Sequence, residues 1–73
     1  MIIFSYKPLW KLLIDKELSN KQFMEISEIS RSTFYKLKKN ENVTTDVLLR
    51  ICNSLNCDLF EIIESKDKEK IDV

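Results

Sequence analysis

Arg31, Lys36, Lys38 and Lys39 fall within the nine residues "RSTFYKLKK", uninterrupted by any carboxylate. Guanidinium and ammonium groups placed this closely are charge-assisted hydrogen-bond donors suited to an anionic partner. The whole chain is neutral, with 12 basic and 12 acidic residues among its 73, so the positive charge is a local feature. A plain alternative is that the lysines only solvate an exposed face and offset the negative end of a helix dipole. That accounts for Lys38 and Lys39 and fails for Arg31, which would stand at the opposing, positive end.

Other chemistries lack their parts. There is no His for proton transfer and no Gly for a phosphate-cradling loop, and no Ser-His or Cys-His pair can form. The remaining carboxylates are scattered over polar positions, so the composition argues against an enzyme and calls for no cofactor. Cys52 and Cys57 are too few for a disulfide framework and lack the partners of a four-ligand zinc site. They read as packed thiols in a reducing cytoplasm. No apolar run is long enough for a membrane-spanning helix, and "MIIFSYKPLW" lacks the features of a signal peptide.

The elements that would position the cationic segment follow from caps and apolar spacing. Pro8 suits a first helical turn, and Leu9, Trp10, Leu12, Leu13 and Ile14 follow it, predicting a helix over residues 8–16. Ser19 with Gln22 three residues on forms a capping-box pattern, opening a second helix over 20–26 with Phe23 and Ile26 on one face. Ser30 repeats the cap and starts a third helix over 31–39, with Phe34 and Leu37 as its buried stripe. Thr44 or Thr45 caps a fourth, on which Leu48, Ile51, Cys52 and Leu55 share a face, and Asn56 suits its left-handed terminus. Asp58 opens a short fifth helix carrying Leu59, Ile62 and Ile63. Residues 2–6 read as an extended arm before Pro8, and the charged "SKDKEKIDV" as a mobile tail. The expected architecture is one all-α domain of five helices over residues 1–64, with residues 65–73 as the tail.

Two short helices joined by a tight turn, the second beginning Ser-Arg-Ser-Thr, form a helix-turn-helix over residues 19–39, a motif that lays its second helix in the DNA major groove. At "LSNKQFMEISEISRSTFYKLKKNENVTTDVLLRICNSLNCDLFEII", residues 18–63, the sequence resembles the lambda-repressor-like, Cro-type (xenobiotic-response-element) family of bacterial and phage regulators. Leu18-Ser19, Phe23, Ile29-Ser30, Phe34 and Leu37 carry the resemblance, and with the first helix in register it covers residues 8–64. The chain departs from that pattern at Glu28, Asn40 and Asn56, where the family commonly has Gly, so backbone strain is expected at Glu28. It departs again at Leu13 and Lys38, which stand where many members pair an Arg with a Glu.

The resemblance implies a sequence-specific regulator of double-stranded DNA, most simply a cytoplasmic repressor that occupies a promoter. It makes Arg31, Ser32, Tyr35 and Lys36 the base-facing residues, and helical geometry agrees for Ser32 and Lys36, which share an outward face. Asn20, Lys21, Thr33, Lys38, Lys39, Asn40, Asn42 and Thr44 become phosphate contacts that fix register. A two-fold homodimer reading an inverted repeat is expected, since a neutral monomer binds DNA weakly and so small a core gains from association. Ile2 and Phe4 on the arm, or Phe60 and Ile63 at the fifth helix, are its interface candidates. The competing reading keeps the fold and makes it a protein-interaction module, an antitoxin-like or adapter subunit.

Overall fold

A computed structural model describes residues 1–67. The order is β1 (Ile2–Ser5), α1 (Lys7–Asp15), α2 (Asn20–Ser27), α3 (Arg31–Lys38), α4 (Thr45–Leu55), a single 3₁₀ turn (Leu59–Glu61) and β2 (Glu64–Asp67). The sequence signals for the helix starts operate as read. Ser19 Oγ accepts from the Gln22 N–H at 3.1 Å while Gln22 Oε1 accepts from the Ser19 N–H at 2.9 Å. Ser30 Oγ accepts from the Thr33 N–H at 3.2 Å, and Thr44 Oγ1 from the Val47 N–H at 3.3 Å. Each bond satisfies an N–H at a helix start that has no carbonyl partner within that helix.

All four helices also end alike. Glu17, Glu28, Asn40 and Asn56 take left-handed backbone conformations, with φ between 52° and 58°. The next N–H then returns to a carbonyl in the last turn: Leu18 to Leu13 at 2.9 Å, Ile29 to Met24 at 3.3 Å, Glu41 to Lys36 at 2.9 Å and Cys57 to Cys52 at 3.0 Å. Glycine is the usual occupant of such positions. This chain has none and bears the strain on side-chain-carrying residues instead.

The core joins Leu9 and Leu13 of α1, Phe23 of α2, Phe34 and Leu37 of α3, and Ile51 and Leu55 of α4 with Tyr6, Ile62 and Ile63. Phe34 lies near its centre, with the Trp10 ring edge-on at 5.7 Å and the Phe23 ring at 6.2 Å. These apolar positions recur at three- and four-residue spacings, so each helix turns one stripe inward.

Two expectations are corrected. The fold is not all-α: β1 and β2 pair antiparallel, with Ile2 opposite Asp67 and Ser5 opposite Glu64. The arm's unpaired backbone groups find partners in the segment read as tail, and the Met1 ammonium meets the Asp67 carboxylate at 3.1 Å. Residues 65–67 are therefore in a strand, and the rest of the expected tail, 68–73, lies outside the described residues. The fifth helix is only the 3₁₀ turn, opened by the Asp58 N–H donating to Glu61 Oε2 at 2.7 Å. It stops early because Ile62 and Ile63, adjacent in sequence, are both buried, and the chain must straighten to reach β1.

Candidate nucleic-acid interface

The turn between α2 and α3 is fixed from three sides. Glu28 supplies the left-handed residue that ends α2, and Ser30 caps α3. Arg50 of α4 donates from Nη1 to the Glu28 carbonyl at 3.2 Å, while its Nε meets Asp46 at 3.1 Å. Behind the turn, the Ser27 and Ser54 hydroxyls meet at 3.0 Å and join α2 to α4. Arg50 and Ser54 were not anticipated from sequence. The i,i+4 spacing of Asp46 and Arg50 was visible, whereas the grip on Glu28 depends on how the helices pack.

With Phe34 and Leu37 turned inward, α3 presents Arg31, Ser32, Tyr35 and Lys36 to solvent. Tyr35 is 55% exposed, its ring edge-on to Phe34 at 6.1 Å. Ser30 spends its hydroxyl proton on Thr33 Oγ1 at 3.0 Å, so in the 3.0 Å contact between Ser30 and Ser32 it is Ser32 that donates. Among the described residues, Arg31, Lys36, Lys39 and Lys21 meet no carboxylate within ion-pair distance. Their charge is available to an external anion.

Four of the anticipated residues converge. Thr33, Lys36, Asn42 and Thr44, with Val43 and Val47, line a shallow hollow of about 270 Å³ between α3 and the start of α4. A hydroxyl, an ammonium and an amide around one hollow, beside a helix N-terminus, suit an oxyanion. Asn20 and Lys21 stand exposed at the start of α2.

Three residues do something else in the free chain. Lys38 is not loose: its Nζ lies 4.2 Å from the Trp10 ring centroid and 5.5 Å from that of Phe34, so a cation–π contact ties α3 to α1 where an ion pair was missing. Asn40, at φ 58°, turns its side-chain carbonyl to the Tyr6 N–H at 3.1 Å. Ile63 is 6% exposed and belongs to the chain's own core, which removes it as an interface residue; Ile2, Phe4 and Phe60 stay exposed, Phe60 at 84%.

Cys52 and Cys57 are free, half-buried thiols. Burial, followed by the neighbouring Cys52 sulfur, pushes the Cys57 thiol up to about 11. Among the described residues no cluster of three or more His, Cys, Asp or Glu could hold a metal ion, and no helix is long and apolar enough to cross a membrane.

Capped helices at 20–27 and 31–38, a left-handed turn between them and a row of exposed polar side chains on the second define a helix-turn-helix of the lambda-repressor-like class. The chain belongs to the Cro/C1-type helix-turn-helix DNA-binding domain family, whose model matches residues 8–68. It is similar to the crystal structure of the transcriptional regulator VanUg, with 49% identity and a TM-score of 0.88 over 92% of this chain and 89% of that one. No curated protein matches at a significant level.

Proposed function

We propose that this chain regulates transcription by binding a specific double-stranded DNA site as a two-fold dimer and blocking the promoter beneath it. The observation that carries this reading is the exposed row Arg31, Ser32, Tyr35 and Lys36, flanked by the hollow at Thr33, Asn42 and Thr44. Arg31 or Lys36 reads guanine O6 and N7, and Tyr35 touches a thymine methyl. Asn20, Lys21, Thr33, Lys39, Asn42 and Thr44 hold phosphates, and Lys38 and Asn40 add contacts at the end of α3. Promoter occupancy is the simplest mode, because these contacts need no further activity to exclude a polymerase. An inverted repeat with half-sites about 34 Å apart suits two such helices.

The test is DNA binding by an Arg31→Ala, Lys36→Ala double variant, with circular dichroism as the fold control. Each lost bidentate contact costs about 1–3 kcal/mol of discrimination, so the variant should no longer protect a duplex selected by the wild type. Lys39→Ala should instead weaken all duplexes alike and flatten the dependence of log K on log salt by about 1. Full protection by the double variant removes α3 as the reader.

One surface favours the second reading, a protein-interaction module. Thr45, Leu48, Leu49, Cys52, Cys57, Asp58 and Leu59 line a mostly apolar groove of about 360 Å³, next in sequence to the exposed Phe60. On the dimer reading a second copy covers this groove.

A further inference from the structure

We propose that Tyr6 is a positioning residue for the DNA-facing surface. This rests on the reading of that surface as a DNA interface.

Tyr6 is 1% exposed and sits between β1 and α1, far in sequence from the recognition helix. Both of its ends are nevertheless bonded to the exit of α3. Its backbone N–H donates to Asn40 Oδ1 at 3.1 Å, and its hydroxyl donates to the Glu41 carbonyl at 3.0 Å. Asn40 and Glu41 are themselves tied to α3, through N–H bonds to Leu37 at 3.1 Å and Lys36 at 2.9 Å. One buried residue thus clamps two consecutive residues of the exit loop against the arm, its backbone holding Asn40 and its side chain Glu41.

What this loop carries gives the clamp a function. Asn42 and Thr44 follow directly and form one side of the hollow whose other side is Thr33 and Lys36. If the loop turns about the end of α3, these two sides part company, so holding it sets the spacing of the proposed phosphate contacts before DNA arrives. Preorganisation of this kind improves affinity by lowering the ordering cost of binding. The identity of residue 40 agrees. Glycine would take φ 58° without strain but offers no side-chain carbonyl to the Tyr6 N–H. Asn meets both demands.

Because Tyr6 is buried, any effect of Tyr6→Phe on DNA binding must pass through the loop. The full chain is assayed by fluorescence anisotropy, well below its unfolding temperature, on a 30-base-pair duplex recovered by wild-type binding from a random-sequence pool. Tyr6→Phe should weaken binding roughly three- to tenfold, the worth of one hydrogen bond, with an unchanged salt slope since no cation is removed. In an Asn42→Ala background the same substitution should cost clearly less, because the contact it positions is already gone. Amide hydrogens of Asn42, Val43 and Thr44 should exchange faster in Tyr6→Phe. Equal affinity of Tyr6→Phe and wild type, or a loss undiminished in the Asn42→Ala background, overturns the proposal. If the wild type recovers no duplex, the DNA reading falls, and unaltered exchange at residues 42–44 overturns the clamp as well.

Discussion

Glu28 carries a backbone cost that glycine would escape. It sits at φ 55° in the turn of the helix-turn-helix, and among the described residues its partner from another element, Arg50, binds the backbone carbonyl. A left-handed L-residue costs roughly 1–2 kcal/mol, while glycine costs about 0.5–1 kcal/mol in unfolded-state entropy. Glu28→Gly should therefore stabilise the fold by about 0.5–1 kcal/mol, read as a higher urea midpoint at constant m-value. The strain at this residue was legible in the sequence, as were the Ser19, Ser30 and Thr44 caps and the terminus at Asn56, because each depends on neighbours a few residues away. Lys38 over Trp10 and Asn40 on Tyr6 were not legible, because a polar tip's partner is set by packing between elements distant in sequence.

Between elements, the joint of α2 with α4 has a direction. Ser54 donates its hydroxyl proton to the Ile51 carbonyl at 3.0 Å, so Ser27 must donate in the 3.0 Å contact with Ser54. Ser27→Ala removes a donor and leaves Ser54 bonded, at a cost of about 1 kcal/mol. Ser54→Ala strands the hydroxyl of Ser27, which is 2% exposed, and should cost about 1–3 kcal/mol. Chemical denaturation of the two variants checks the order. The four helices were legible to within a residue or so because stripe and cap signals coincide. The sheet was not: Glu64–Asp67 contains no apolar residue, and its pairing satisfies backbone groups that composition does not report. The fifth helix was over-read because Ile62 and Ile63 look like a helical stripe, whereas they are buried as the chain straightens.

For the whole molecule, self-association is the open property that one residue tests most directly. Phe60 is 84% exposed and follows Leu59, which lines the apolar groove along α4. If a second copy covers this face, Phe60→Asp buries an unpaired charge there and should give monomers by sedimentation equilibrium, together with loss of the tighter binding to an inverted repeat than to an isolated half-site. A mass unaffected by the substitution moves the interface to Ile2 and Phe4.

The pairing of β1 with β2 also orders events in time. It joins residues 2–5 to residues 64–67, whereas each helix is closed by contacts a few residues apart. Bringing together the ends of a loop of roughly 60 residues costs on the order of 3–4 kcal/mol of chain entropy, which the local elements do not incur. The sheet is therefore expected to form after the helices and to open before them, which amide exchange at residues 2–5 against the helices would check. Opening the sheet loosens the arm that leads into Tyr6, and with it the hold on Asn40 and Glu41 at the exit of α3.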